Sequence, residues 1–185
     1  MQVTSDSNQV IDCLNTGGVI AYPTESVFGI GCDALCQDSV ARISRIKNRQ
    51  SKKGYILLIH SYEQLDHLID QSHPNLNWGC IRDSWPGPTT WVFPAATNLP
   101  HWLVSDCQTI AIRMTSHPIA RALCKQLDKP LISTSANLAG MPPCTTVQQV
   151  ADQLSTVIDL CVYNETSCSQ AATTINDAIT LACYR

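Results

Sequence analysis

Lys47 and Arg49 stand two residues apart at the end of a segment whose apolar residues, Val40, Ile43 and Ile46, recur at helical spacing. A helix dipole favours cations at its C-terminus, so a solvated basic end accounts for the pair without any function. The same placement suits phosphate binding. Arginine supplies a planar fork, lysine a point charge, and side chains this close can reach one polyanion. A second polar cluster, Ser133-Thr134-Ser135-Ala136-Asn137, follows the apolar pair Leu131-Ile132. In an ordinary loop such hydroxyls and amides cap the next segment. In a site they orient a nucleotide or a carboxylate.

Three further segments place polar groups after apolar strands, where ligands of α/β sheets tend to bind. Val19 to Tyr22 stops at Pro23 and opens into Thr24-Glu25-Ser26-Val27-Phe28-Gly29-Ile30-Gly31, a loop whose glycines let backbone approach a ligand. It is not a Walker loop, because the Gly-Lys-Ser/Thr ending is missing. Trp85-Pro86-Gly87-Pro88 reads as a rigid turn carrying Thr89 and Thr90 into a strand. Arg113 ends the strand Thr109 to Met114 and needs either an acidic partner or an anionic ligand. Each segment also has a purely structural explanation, as a turn, a β-propensity or a cap.

The elements that must position these groups alternate along the chain. Helices are expected over 8–16 (closed by Gly17-Gly18), 38–47, 118 to about 127 with Pro118 in the first turn, and 146–154 capped by Thr145 or Thr146. Ser61 and Gln64 form a capping-box pattern before Leu65, Leu68 and Ile69. Strands are expected over 19–22, 55–59, 89–93, 109–114, 131–133, 157–163, 172–175 and 181–184. The reading is an α/β fold, with a mixed sheet whose edges are antiparallel.

Composition narrows the function. The 185 residues suit one domain, and 44% hydrophobic with 15% charged residues is globular composition. A net charge of −3 lacks the basic excess of a protein that grips nucleic-acid backbone. No apolar run approaches the roughly 20 residues of a membrane span, and polar Met1 to Asn8 do not read as an export signal. The cytoplasm is therefore the expected compartment. The ten cysteines include no Cys-x-x-Cys pair, and are expected to be mostly buried thiols with no metal site.

In order along the chain, Tyr-Pro-Thr-Glu-x-Val-Phe-Gly-x-Gly, Lys-x-Arg, Trp-Pro-Gly-Pro-Thr-Thr, Ala-Ile-Arg and Ser-Thr-Ser-Ala-Asn resemble the YrdC/TsaC family. The resemblance implies one YrdC-like domain over 1–185, a single twisted mixed sheet with helices packed on it and a concave, positively lined cavity. It implies threonylcarbamoyl-AMP synthase activity, in which L-threonine, bicarbonate and ATP give threonylcarbamoyl-adenylate and pyrophosphate. The family's tetrad falls on Lys47, Arg49, Ser135 and Asn137, with Lys47 and Arg49 as the catalytic cations. Thr24 matches the threonine-binding loop, and Thr90, Arg113 and Ser133 match the lining of the site. Mg²⁺ is expected to travel with the triphosphate. The implied partner is a tRNA threonylcarbamoyl transferase complex, and a weak contact with tRNA is left open. Gln50 stands where the family usually has proline, which points to a more mobile loop from Gln50 to Gly54. The competing readings are an RNA-binding or ribosome-maturation module, a paralogue of other specificity, and a relative that adenylates carbamoyl phosphate. That last relative carries acylphosphatase and zinc-finger modules for which this sequence shows no sign.

Overall fold

The computed structural model describes residues 1–49, 54–163 and 173–185. The loop expectation for Gln50 to Lys53 and the start of the 172–175 strand lie outside them. In chain order the strands are β1 (Gln2–Thr4), β2 (Ile20–Tyr22), β3 (Gly29–Gly31), β4 (Ile56–Ile59), β5 (Thr90–Pro94), β6 (Thr109–Met114), β7 (Leu131–Ser135), β8 (Leu160–Val162) and β9 (Ile175–Asp177). The helices are α1 (Ser7–Asn15), α2 (Gln37–Ile46), α3 (Trp78–Ser84), α4 (Pro118–Leu127) and α5 (Val147–Leu154). The strands join one mixed sheet in the order β1-β8-β2-β3-β7-β4-β6-β5-β9.

Alternation along the strands decides what covers each face. Ile20, Tyr22, Leu58, Leu131, Leu160 and Val162 point to one side, where they pack on Val10 and Leu14 of α1 and on Ala120, Leu123, Cys124 and Leu127 of α4. Their neighbours Val19, Ala21, Leu57, Ile59, Ile132 and Cys161 point to the other side, against Val40 and Ile43 of α2, Ile81 of α3 and Val150 and Leu154 of α5. Helices on both faces explain why these strands read as continuous apolar runs.

The helix ends follow local rules. Asp6 caps α1, accepting from the Asn8 amide at 2.9 Å. Gly17, at φ +81°, closes the same helix in a Schellman arrangement: its amide bonds Leu14 O at 3.1 Å and the Gly18 amide bonds Cys13 O at 2.7 Å. Pro118 opens α4, and Thr146 caps α5.

Four expectations need correction. The outer pairings, β1 with β8 and β5 with β9, are parallel, and the antiparallel pairs lie inside the sheet. Close spacing of the last strands suggested hairpins, but β8 and β9 insert at opposite ends of the order. Leu181 to Tyr184 forms no strand; a single bridge joins Cys183 to Asn176, and Leu181 has φ 62°. Ser61 and Gln64 make no capping box: Gln64 accepts instead from the His60 amide at 2.9 Å, and the segment is a 3-10 turn over Glu63–His67. Gly29 to Gly31 is a strand rather than a loop; Gly29 still lines a cavity, while Gly31 serves packing. A Cβ on Gly31 would sit 2.0 Å from Ile132 O.

That contact carries a prediction. Gly31→Ala drives a methyl group into the backbone of β7, and overpacking of this kind costs about 1–3 kcal/mol. A lowered urea midpoint is expected, and an unchanged midpoint would show that the two strands can separate freely.

Candidate functional site

On the α1/α4 face, the helices pack on Leu58 of β4 and Leu131 of β7, while β5, β6, β9 and the Ile56 and Ser133–Ser135 ends of β4 and β7 face a cavity. The cavity-facing positions are those that alternate with the core residues of the opposite face: Ile56, Val92, Ala111, Arg113, Ser133, Ser135 and Ile175. They floor a cavity of about 550 Å³, walled by Thr24, Ser26, Val27, Phe28, Arg49, Tyr55, Pro143 and Arg185. The floor turns polar where Ser133, Ser135 and Arg113 replace the aliphatic residues found elsewhere on this face.

The way α2 ends brings Lys47 and Arg49 to the rim. Lys47 is the C-cap, and Asn48 follows in the left-handed region at φ 44°. The Asn48 amide bonds Arg45 O at 3.1 Å and the Arg49 amide bonds Ser44 O at 2.9 Å, again the Schellman arrangement. Asparagine tolerates this conformation better than most side chains do. The reversal turns Arg49 into the wall of the cavity and leaves Lys47 reaching the Ser135 end of β7 beside it.

Lys47 reaches across the end of β7. Its ammonium donates to Asn137 Oδ1 at 2.6 Å, Ser135 O at 2.9 Å, Asn137 O at 3.0 Å and Ser135 Oγ at 3.4 Å. Ser135 Oγ donates to Asn137 Oδ1 at 2.7 Å, while Asn137 Nδ2 donates to Leu138 O at 2.8 Å and Met141 O at 2.7 Å. The carboxamide is thus fixed in one orientation, with its oxygen toward Lys47. All of these acceptors are neutral. Partial burial, and then the neighbouring charge of Arg49, push the Lys47 pKa down to about 8. A half-buried ammonium compensated only by dipoles, beside a second cation, favours an incoming polyanion.

Arg113 is the second fixed cation, only 5% exposed. Its Nε and Nη2 donate to Thr90 Oγ1 at 2.9 and 2.8 Å, and Nη2 also to Thr173 Oγ1 at 2.7 Å. Nη1 lies 4.0 Å from Glu25 Oε2. Burial lowers the Arg113 pKa and Glu25 raises it again. Thr90 is fully buried, so it aims Arg113 from behind the cavity wall. Glu25 Oε1 accepts the hydroxyl of Thr115 and the amides of Ser116 and His117, which ties the 24–28 loop to the start of α4. Thr24 donates to Val27 O at 2.6 Å, closing that loop into a turn against the cavity.

Thr24, Arg49, Arg113, Ser133 and Ser135 therefore line one cavity, while Lys47 and Asn137 brace its rim and Thr90 lies behind it. Sequence reasoning missed Thr173 and Arg185, whose side chains meet at 3.3 Å beside Arg113. Thr173-Thr174 before β9 carries the same signal as Thr89-Thr90 before β5. No pattern marked Arg185. A separate hollow of about 530 Å³ lies along α1 and β8. Its one cation, Arg42, is already paired with Asp159 at 2.9 Å, so it offers no comparable demand for an anion.

A family model described as "Telomere recombination", covering the Sua5, YciO and YrdC proteins, matches residues 12–183. The chain belongs to the Sua5/YciO/YrdC family. Among curated relatives, a threonylcarbamoyl-AMP synthase of Coxiella burnetii (strain RSA 493 / Nine Mile phase I) is 42% identical over 177 residues, 96% of this chain and 95% of the relative. A threonylcarbamoyl-AMP synthase of Escherichia coli (strain K12) is 44% identical over 176 residues, 95% of this chain and 92% of the relative. Among solved structures of the family, P. abyssi Sua5 complexed with L-threonine superposes with a TM-score of 0.82 at 28% identity. The match covers 92% of this chain and 50% of that one, so this chain spans about half the length of that Sua5.

Among the described residues, no helix is long and apolar enough to cross a membrane, and no group of three or more His, Cys, Asp or Glu side chains is placed to hold a metal ion. The nine described cysteines are free thiols; four are buried and three exposed.

The Lys47 environment sets a pH dependence. A polyanion stabilises the charged ammonium, so binding above pH 8 requires proton uptake and weakens as pH rises. Affinity for inorganic tripolyphosphate, measured by calorimetry, is expected to fall between pH 7 and 9, and Lys47→Arg is expected to flatten that limb. A wild-type profile without the limb would show that Lys47 stays fully charged across this range.

Proposed function

We propose that this chain forms threonylcarbamoyl-AMP and pyrophosphate from L-threonine, bicarbonate and ATP, supplying a tRNA threonylcarbamoyl transferase. The observation that carries the reading is the Lys47 ammonium, held by neutral oxygens of Ser135 and Asn137 at the rim of a cavity shared with Arg49 and Arg113. The names and near-complete overlap of the curated relatives support the same substrate set.

The chemistry needs no side-chain nucleophile. The threonine amine adds to carbon dioxide derived from bicarbonate and gives a carbamate. A carbamate oxygen then attacks the α-phosphorus of ATP, and the bond to the bridging oxygen breaks to release pyrophosphate. The protein's contribution is to align the reactants and neutralise charge that grows on phosphate oxygens. Lys47 and Arg49 are assigned to those oxygens, and Arg113, aimed by Thr90, to the triphosphate. Ser133 and Ser135 offer hydroxyls to the nucleotide and carbamate. Asn137 acts through Lys47. The loop of Thr24 receives threonine beside Val27 and Pro143. Mg²⁺ would accompany the triphosphate and would supply further neutralisation of its charge beside Lys47, Arg49 and Arg113.

Lys47→Ala is expected to lower threonine- and bicarbonate-dependent pyrophosphate release by about 10²–10³-fold, the usual scale for losing one charge-stabilising donor. Far-ultraviolet circular dichroism should stay unchanged. Near-normal turnover in that variant would remove Lys47 from the mechanism. Release stimulated equally by serine, or independent of bicarbonate, would reassign the substrate.

A further inference from the structure

Tyr55 stands at the N-terminal edge of β4, where it lines the cavity yet is only 6% exposed. Its ring lies under the guanidinium of Arg49, with Cζ 4.7 Å from the ring centroid. Its hydroxyl is 2.8 Å from Ser44 Oγ. Ser44 directs its own hydroxyl hydrogen to Val40 O at 3.0 Å, so Tyr55 is the donor in that pair. The Ser44 carbonyl meanwhile accepts the Arg49 amide at 2.9 Å. One helix residue therefore anchors both the backbone of Arg49 and the aromatic plate beneath its side chain.

We propose that Tyr55 is a positioning residue for the nucleotide reaction, an aromatic platform that fixes the Arg49 fork over the cavity before the triphosphate arrives. A long arginine side chain loses rotamer freedom when it binds, which costs affinity. Stacking on a ring orders the plane beforehand, and Arg49 and Tyr55 both line the cavity. An aromatic face adds direct attraction for a cation, and more so where water is partly excluded. The aliphatic wall residues nearby, Ile56 and Val92, supply neither effect. The Ser44 bond holds the hydroxyl end of the ring in place. This inference rests on the assignment of Arg49 to the phosphates made above, and the two can fail separately.

The test is a double-mutant cycle read by calorimetry with a non-hydrolysable ATP analogue and Mg²⁺, together with steady-state pyrophosphate release. Tyr55→Leu is expected to weaken analogue binding about tenfold, raise the KM for ATP in parallel and leave the KM for threonine within about twofold. Tyr55→Phe keeps the plate and loses only its anchor, so a loss of about twofold to fourfold is expected. In an Arg49→Ala background, Tyr55→Leu should add less than about twofold. Equal losses from Tyr55→Leu in both backgrounds would overturn the platform while leaving Arg49 on the phosphates. An Arg49→Ala variant that binds the analogue normally would overturn both. A Phe variant as weak as the Leu variant would show that the ring face contributes nothing. Should Tyr55→Leu fail to fold by thermal unfolding, Ser44→Ala releases the anchor without touching the ring and enters the same cycle. A Ser44→Ala loss that persists undiminished in the Arg49→Ala background then counts against the proposal.

Discussion

Side chains on a β-strand alternate between faces, and in this sheet one face is covered by helices along only part of its width. Everything at the site follows from that mismatch. Where α1 and α4 cover the face, the outward positions are Ile20, Leu58, Leu131 and Leu160, and they are buried. Where the helices stop, the same register brings up Ala111, Arg113, Ser133 and Ser135. The opposite face is mostly apolar, with Leu57, Ile112 and Ile132 side by side on neighbouring strands. The cavity floor is thus as rigid as the sheet itself. That rigidity matters when catalysis consists of holding charges in place.

The cations are fixed by different devices suited to their positions. Arg113 rises from a strand and is held by threonine hydroxyls, Thr90 from below and Thr173 from the side. Lys47 and Arg49 come off the opposite layer, and a left-handed Asn48 turns them round the end of β7. The helix C-terminus places partial negative charge next to Lys47, which offsets part of the cost of burying it. Neutral carbonyls then hold the ammonium without satisfying its charge. A carboxylate in the same place would satisfy it and repel phosphate.

The sequence was most legible where local rules decide the outcome. The central strands β2, β4, β5, β6 and β7, the Gly17-Gly18 stop, Pro118 in the first turn of α4 and the hydroxyl cap of α5 formed as read, within a residue or two. The polar segments Ser133 to Asn137 and Lys47 to Arg49 interrupt apolar runs at the ends of elements, and the structure brings the two together. Long-range pairing was not legible. The parallel edges arise because β8 enters between β1 and β2 while β9 adds beside β5, and no turn signal records either step. Likewise Gly31 read as part of a ligand loop, since the close passage of Ile132 that requires it is made by a residue a hundred positions away. Arg185 reached the cavity through the same kind of distant closure.

The internal bonding of Asn137 has a bearing on base discrimination. Its amide hydrogens go to Leu138 O and Met141 O, and its oxygen receives Lys47 and Ser135. A carboxamide so saturated has no donor or acceptor left with which to tell adenine from guanine. A preference for one purine would fall to other groups of the wall, and exchanging this asparagine would first loosen the Lys47 ammonium that its oxygen holds.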